Sequence, residues 1–502
     1  LADVVQGDCL EDPPTDVFDW FDAEISVSGR TRRHVGVRKK GFVGSLSDEK
    51  PSLKVRFDKY VDGQELAGLS RLTLNNMVQD PSLISACIAY GLMAKAGIAA
   101  PRCNFARVQV NGEVLGLYAH VDSVKKPFIG RHFSSAEGNL YEATISDFRP
   151  EFRGSWEKKT NLSEDDWSDL DAALEALSLP DDELMAALEP LFDLDNFYTF
   201  WALEVLVAHW DGYAGNRNNT YIYADPDDGR FRFIPWGIDS AFLDPEPFIG
   251  GEEELPNALF AFGHLANRLY ALPEGRAAYL ARLSELLESA WDRDEIVAEM
   301  DRMEDLLGAY MDEEDALQLS LDISAKRSWV TYREQRVQAA LTQGGEAWNY
   351  PPAGSICWTE GGSLSASFDT RWGTSGADFF DQPGSINHDV ETMDFIGNVA
   401  SNARFGAGAS DGQAVIELIG NNTQGEYFIV YVFGPLEYFI PGSTQPLDWS
   451  IFSALVGRIE IFEFVFEPIA LLVEGVIHFE EASTYLGEPV KGWLEAIVIQ
   501  PP

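Results

Sequence analysis

The first half of the chain mixes short β-type runs with helical segments. Apolar and polar residues alternate in AEISVSG, in SLKVRF and in both halves of NFARVQVNGEVLGLYAHV, where an Asn-Gly pair separates two runs. This pattern predicts strands and one hairpin. DPSLISACIAYGLMAKAG has helical spacing. LDNFYTFWALEVLVAHW is apolar on nearly every side, so we predict a buried helix there.

The pattern changes near residue 344. Helical segments continue to about residue 343, and from TQGGEAWNYPPAGS onward turns rich in Gly, Ser, Thr and Asn separate β-type runs such as EYFIVYVFG. We therefore predict an α+β domain over residues 17–346 and an all-β, sandwich-like domain over residues 352–502. Residues 1–16, which are polar and acidic, are predicted to be a linker or tail.

Polar residues concentrate in HWDGYAGNRNNTYIYADPDDGRFRFIPWGIDSAF, residues 209–242, directly after the predicted buried helix. Asp211 and Asn216 come first, and Asp239 follows two strand-like runs joined by a turn. Because a hairpin returns the chain close to its start, we expect Asp239 to lie beside Asp211 and Asn216. Carboxylate and amide oxygens hold Mg²⁺ in phosphoryl transfer, and H-x-D-x-x-x-x-N is the spacing of the protein-kinase catalytic loop. The alternative is a polar turn that only caps a helix.

The charge of the chain is strongly uneven. Its 81 Asp and Glu against 37 Lys and Arg give a net charge of −44, which argues against binding to nucleic acid. Ten of the 37 basic residues nevertheless lie between residues 30 and 59. Lys54 and Arg56 share one strand face there, and Arg38 precedes them. We expect this segment to bind the phosphates of a nucleotide, and a solvated basic strand is the alternative.

Taken together, these segments resemble the spore-coat protein H (CotH) kinases, which are secreted or surface-exposed atypical protein kinases. The resemblance lies in KPSLKVRFDKY, DPSLISACIAYGL, VQVNGEVLGLYAHVD, residues 209–242 and SWVTYREQRVQAAL, in this order over roughly residues 20–345. It implies an atypical protein-kinase-like bilobal fold that binds ATP with Mg²⁺ or Mn²⁺. The implied activity is phosphoryl transfer to Ser or Thr of surface or extracellular proteins, including autophosphorylation.

The resemblance also implies roles for single residues. Asp211 would be the catalytic Asp, and Asn216 and Asp239 would bind the metal, with Asn219 as the substitute for Asn216. Lys54 would contact the α- and β-phosphates. The alternative from another class is a catalytically inactive scaffold or adhesin-type protein, whose C-terminal domain would bind a surface partner or a glycan.

The chain departs from the family pattern at three places. Gly237 stands where members usually carry the first Asp of W-D-x-D. In an extended segment the side chains at positions 237 and 239 would share one face. The absence of a carboxylate at position 237 is therefore expected to weaken metal binding without abolishing it. The hairpin ends in Asp122 where members usually have Glu. The first long helix contains no Glu to pair with the strand lysine, which leaves Glu65 as the positional candidate.

Several features predict a secreted or cell-surface protein. The chain begins with Leu1 instead of Met, is acidic, and has four cysteines without a CxxC pair. Cys87 and Cys103 are close enough in sequence to be bridged. No run of about 18 apolar residues occurs, so no transmembrane segment is expected.

Overall fold

The computed structural model divides into two compact units, one spanning residues 15–354 and the other containing residues 355–502. It describes residues 18–41, 47, 49–244, 255–350, 359–373, 382–390, 393, 399–405, 413–421, 427–447, 451–460, 465–483 and 485–500. The predicted tail over residues 1–16 lies outside these ranges.

The larger unit begins with an antiparallel sheet of six strands in the order β1-β2-β3-β4-β6-β5. The strands are β1 Phe21–Val27, β2 Arg30–Lys40, β3 Ser52–Arg56, β4 Arg71–Asn75, β5 Cys103–Val110 and β6 Glu113–Val121. Asn111 and Gly112, with φ of 52° and 90°, form the turn between β5 and β6. The predicted hairpin is therefore confirmed. Helix α1, Ser85–Lys95, lies between β4 and β5 in the chain and packs against β5.

The rest of this unit surrounds a four-stranded antiparallel sheet with helices. The sheet has the order β10-β9-β7-β8 and consists of β7 Leu140–Ala143, β8 Trp156–Lys158, β9 Thr220–Ala224 and β10 Phe231–Pro235. The helices are α2 Lys126–His132, α3 Ser168–Leu177, α4 Asp181–Leu188, α5 Leu194–Leu206, α6 Tyr213–Asn216, α7 His264–Ala271, α8 Pro273–Ser289, α9 Arg293–Gly308 and α10 Glu313–Thr342. Short 3₁₀ segments occur at Pro150–Ser155 and Ile238–Ser240.

Helix α5 is the centre of the larger unit. Its start is capped by the side chain of Asp193, which accepts a hydrogen bond from the Asn196 N–H at 3.1 Å. Every residue from Phe197 to Leu206 is buried, and Trp201 stacks on Tyr279 of α8 with ring centroids 3.9 Å apart. The predicted buried helix is confirmed. Among the described helices, none combines the length and the apolar composition that crossing a lipid bilayer requires.

The smaller unit is all β, as predicted. Its strands are β11 Thr359–Arg371, β12 Pro383–His388, β13 Val399–Phe405, β14 Gln413–Asn421, β15 Tyr427–Pro435, β16 Ser443–Leu447, β17 Ser453–Glu460, β18 Val465–Ala482 and β19 Pro489–Gln500. β19 pairs with β11 along one side and with β18 along the other, so one sheet closes on itself. Alternate residues such as Leu364, Ala366 and Phe368 point inward and form the core.

A disulfide bond joins Cys87 of α1 to Cys103 at the start of β5, with the Cα atoms 5.0 Å apart. The sequence allowed this bridge and the structure contains it, and disulfides persist in oxidising compartments. Cys9 and Cys357 lie outside the described residues.

Replacing both Cys87 and Cys103 by Ala should lower the free energy of unfolding of the larger unit by about 3 kcal/mol. The bond closes a loop with a sequence separation of 16, and opening it restores chain entropy to the unfolded state. Urea unfolding of the oxidised wild type and the double variant measures the difference. An unchanged midpoint would contradict a stabilising role.

Candidate active site

The carboxylate of Asp211 is held by the amides of three asparagines in the loop after α5. Nδ2 of Asn216 donates to Oδ1 at 2.8 Å, and Nδ2 of Asn218 donates to the same oxygen at 3.3 Å. Nδ2 of Asn219 donates to Oδ2 at 2.6 Å. Burial raises the pKa of Asp211, although each amide hydrogen bond favours the ionised form. The three hydrogen bonds thus hold the Asp211 carboxylate in one orientation, which is a requirement for a side chain that accepts a proton in catalysis.

A buried glutamate sets the shape of this loop. Glu204 of α5 is fully buried, and its two oxygens accept hydrogen bonds from the backbone N–H groups of Tyr213 and Ala214, each at 2.9 Å. These N–H groups begin α6 and have no partner within that helix. Burial raises the pKa of Glu204 to about 8. Gly212 is required beside it, because a Cβ there would lie 2.1 Å from Oε1 of Glu204.

His209 joins the same loop to the segment that carries Asp239. Its ring is buried, and Nε2 donates to the carbonyl oxygen of Trp236 at 3.2 Å. Burial lowers the pKa of His209 to about 3, so the ring is neutral at physiological pH and serves as a hydrogen-bond donor. The Trp236 N–H donates in turn to the carbonyl oxygen of Asn219 at 3.0 Å. Two loops are therefore connected at two points.

Asp239 lies in the 3₁₀ segment Ile238–Ser240, which follows β10 and is held by two helices. The hydroxyl of Tyr90 on α1 is hydrogen-bonded to the backbone at the start of this segment. Nζ of Lys326 on α10 donates to the carbonyl oxygen of Ala241 at 2.8 Å. The position of Asp239 therefore depends on helices that are distant from it in sequence.

The carboxylate of Asp239 is coupled to two others. Burial raises the pKa of Asp239 to about 6, the charges of Asp80 and Asp211 add to the increase, and Lys40 opposes it. Asp80 is buried, with Nζ of Lys326 3.8 Å from its Oδ1. The hairpin thus brings Asp239 close to Asp211. Negative charges crowded in a partly dry site favour a bound cation.

Two lysines of the first sheet interact with carboxylates, Lys40 with Asp239 and Lys54 with Glu142. Nζ of Lys40 donates to Oδ1 of Asn75 at 2.5 Å and lies 5.7 Å from the ring centroid of Trp236. Burial lowers the pKa of Lys40 to about 8, Lys54 lowers it further, and Asp239 raises it. Burial also lowers the pKa of Lys54. The charge of Lys40 therefore interacts with the charges of both Lys54 and Asp239.

Glu142 on β7 is a carboxylate that interacts with Lys54. Nζ of Lys159 lies 2.6 Å from Oε2 of Glu142 and also pairs with Glu157. Burial alone would raise the pKa of Glu142, but Lys159 and Lys54 outweigh it and lower the pKa to about 2. Burial and Lys159 lower the pKa of Lys125 to about 8. Three lysines are thus grouped around one central glutamate, which suits a polyanionic ligand.

The two arginines expected at this site differ in position. Arg38 lies opposite Lys54 in the β2–β3 register. Burial is the main cause of the lowered pKa of Lys54, and the charge of Arg38 contributes to it. Its guanidinium also lies 4.8 Å from the ring centroid of Trp20. Arg56 instead pairs with Asp58 at 2.8 Å. The structure brings Arg38 together with Lys54, and it directs Arg56 to another partner.

The carboxylate that interacts with the strand lysine is not the positional candidate. Glu65 is exposed, and Asp122 pairs with Arg102 and Arg131 at 2.7 Å each. Glu142 has this role from the second sheet, and the sequence reasoning missed it. Its signal, one charged residue in the short run NLYEAT, is weak because such residues also occur on solvated strands.

Gly237 does not lie in an extended segment with Asp239, so that expectation is wrong. Its φ and ψ are 51° and 36°, in the left-handed region, and the 3₁₀ segment begins at the next residue. A Cβ at Gly237 would lie 2.2 Å from Oδ1 of Asn219. The amide that holds Asp211 therefore occupies the space that a side chain at position 237 would need.

The donor set around Asp239 fits a divalent cation that also binds phosphate. Within the described ranges, no group of three or more His, Cys, Asp or Glu side chains forms a complete protein cage for a metal. Mg²⁺ is commonly held by one or two carboxylates together with substrate phosphates. Asp239, and Asn216 of the loop that is hydrogen-bonded to the Asp239 segment, are the residues that could hold such an ion.

Comparison with known proteins identifies the family. The family model described as CotH kinase protein matches residues 37–339, more than half of the chain. The chain belongs to the CotH kinase family. The resemblance seen in the sequence is confirmed, and the structure confirms an α+β domain followed by an all-β domain.

Individual relatives are distant and longer than the matched segment. Inner spore coat protein H of Bacillus subtilis is 25% identical over 44% of the chain and 63% of its own length. Invasin CotH7 of Rhizopus delemar is 23% identical over 46% of the chain and 41% of its own length. The crystal structure of the Helicobacter pylori proinflammatory kinase CtkA covers 60% of the chain and 95% of its own, with 11% identity and a TM-score of 0.28. The chain thus spans less than two thirds of the two curated relatives.

Gly237→Ala should destabilise the larger unit more than Gly229→Ala does. Both glycines have positive φ, 51° and 73°, so each substitution costs about 1 kcal/mol of backbone strain. A Cβ at Gly229 would meet no described atom within 4 Å, whereas one at Gly237 displaces Asn219 from Asp211. Losing that charge-assisted hydrogen bond costs about 1.5 kcal/mol more. Urea unfolding compares the two variants, and equal losses would contradict the Asn219 contact.

Proposed function

We propose that the larger unit transfers the γ-phosphoryl group of ATP to Ser or Thr hydroxyls of surface proteins, including its own. The observation that carries this proposal is the setting of Asp211: three amides hold its carboxylate, and a second carboxylate, Asp239, lies close by. Lys40 of the first sheet interacts with Asp239 and with Lys54, whose own acidic partner is Glu142. Phosphoryl transfer requires three kinds of group: a proton acceptor, ligands for a metal ion, and cations that bind the phosphates. Membership of the CotH kinase family supports the same activity.

Asp211 would orient the substrate hydroxyl and accept its proton. The hydroxyl oxygen forms a bond to the γ-phosphorus while the bond from that phosphorus to the β–γ bridging oxygen breaks, and ADP leaves with the electron pair. The three amides keep the carboxylate in one orientation during this transfer. Its raised pKa brings it nearer to the working pH, which favours proton acceptance.

The cations of the first sheet would bind the nucleotide phosphates. Lys54, with Lys40 and Arg38 near it, supplies positive charge, and because burial lowers the pKa of both lysines, bound phosphates would stabilise their charged form. Asn216 and Asp239 would hold Mg²⁺ or Mn²⁺, and the ion would neutralise part of the phosphate charge. Arg56 contributes less, since Asp58 already pairs with it.

A surface or extracellular location is part of the proposal. The Cys87–Cys103 disulfide supports an oxidising compartment. The names of the relatives, an inner spore coat protein and an invasin, refer to surface proteins. Those names also favour the second candidate function, a kinase-like binding protein without activity, and Gly237 in place of the family's carboxylate points the same way.

Asp211→Asn should reduce transfer of label from γ-labelled ATP with Mn²⁺ by about 10²–10⁴-fold, because Asn keeps the shape but accepts no proton. Self-labelling and labelling of a Ser/Thr peptide library are the measurements. Asp165→Asn, an exposed carboxylate away from the loop, is the matched control and should label like wild type. A wild type that neither labels nor gains thermal stability with nucleotide would support the binding protein instead.

Lys54→Met should lower kcat/KM for ATP by about 10²-fold, since a cation expected to contact the phosphates is lost. Arg56→Met, on the same strand, should change kcat/KM by less than about threefold, because its charge is already paired with Asp58. Steady-state kinetics over a range of ATP concentrations separates the two variants. Equal effects would show that Arg56 also binds the nucleotide.

A further inference from the structure

An exposed tryptophan lies on the outer face of the closed sheet in the smaller unit. Trp493 on β19 is 37% exposed, whereas its neighbours Gly492 and Leu494 are buried. Because alternate residues of a strand face opposite sides of a sheet, Trp493 lies outside the core that Leu494 joins. A single exposed apolar side chain is ordinary. The side chains around this one give it a specific setting.

Backbone pairing places five side chains in one line across five strands, which we call the Trp493 row. Thr444 on β16 lies opposite His478 on β18, and His478 lies opposite Trp493. On the other side, Trp493 lies opposite Ser367 on β11, and Ser367 lies opposite Ser385 on β12. Four strand spacings make the row roughly 19 Å long. The row therefore presents one aromatic ring between polar side chains on a continuous surface.

The side chains of the row are held in place by one another. The ring of His478 stacks beside the indole of Trp493, with centroids 5.4 Å apart and planes inclined by 24°. Nδ1 of His478 is hydrogen-bonded to Oγ1 of Thr444 at 2.8 Å, and the hydroxyls of Ser367 and Ser385 are hydrogen-bonded at 2.7 Å. A ligand would therefore meet an ordered surface and lose little side-chain entropy on binding.

The charges near the row oppose an anionic ligand. Nζ of Lys491 lies 3.7 Å from Asp369 and 3.6 Å from Glu480, so its charge is already balanced. Glu495, two residues along β19 from Trp493, is exposed on the same face. Residues 355–502 contain 20 Asp and Glu against four Lys and Arg. Nucleic acids and anionic membranes require the opposite balance.

We propose that the Trp493 row binds a neutral polysaccharide. The C–H groups on one face of a pyranose ring carry a partial positive charge, and they match the electron-rich face of the indole. Hydroxyls of Thr444, Ser367 and Ser385 and the carboxylate of Glu495 can exchange hydrogen bonds with sugar hydroxyls. A stable protein partner would need a much larger apolar area than one indole. This site belongs to the smaller unit and does not depend on the kinase activity.

Calorimetric titration of the full chain with cellohexaose, chitohexaose and mannohexaose, without nucleotide, tests the proposal. At least one of these neutral oligosaccharides should bind, and Trp493→Ala should weaken that binding by about tenfold or more. Trp493→Phe, which keeps an aromatic ring, should retain most of it. Tyr485→Ala is the matched control, because Tyr485 is 74% exposed in the β18–β19 connection, outside the row, and its loss should leave binding unchanged.

Three outcomes would overturn the assignment. The first is that none of the three oligosaccharides binds the wild type, and the second is that Trp493→Ala binds like the wild type. The third is that the polyanion polygalacturonate binds more tightly than the neutral sugars. The unfolding temperature of each variant shows whether it is folded. If Trp493→Ala is not folded, the comparison of Trp493→Phe with Tyr485→Ala decides whether the aromatic ring at position 493 is needed for binding.

Discussion

The hydrogen bonds of the buried Glu204 carboxylate are the interaction on which the loop that carries Asp211 depends. They connect the core helix α5 to the first two N–H groups of α6, and they leave no room for a side chain at Gly212. Because α6 starts at a fixed point, its last residue, Asn216, and the following Asn218 and Asn219 converge on Asp211. A polar loop would otherwise be mobile, since its residues bury little apolar area. Here the core itself determines its shape.

Charge balance is the second constraint on the site. The charges of Asp80 and Asp211 add to the effect of burial in raising the pKa of Asp239, and burial lowers the pKa of Lys40 and of Lys54 in the first sheet. Glu142 compensates only part of this positive charge, because it is shared with Lys159. Such an arrangement is costly in the protein alone, and a bound polyanion with a divalent cation would relieve both sides.

The family match covers only one of the two units. The family match covers residues 37–339 and thus lies entirely within the larger unit. The closed sheet of the smaller unit lies beyond the match, and its outer surface carries an aromatic residue between polar side chains. Trp493 and His478 are outside the core, and the side chains beside them are polar. The proposed phosphoryl transfer and the proposed polysaccharide binding thus belong to different units of one chain.

The sequence by itself determined the features that depend on local spacing. The apolar run of α5, the Asn111-Gly112 hairpin and the order Asp211, Asn216, Asp239 follow from periodicity and turn chemistry within a few tens of residues. Tertiary structure alone decided which distant side chains meet them. Glu142 interacts with Lys54 because two separate sheets come together, and Asn219 occupies the space beside Gly237 because two loops are hydrogen-bonded. Such contacts produce no periodic pattern of apolar and polar residues, because they join segments that can be separated by any number of residues.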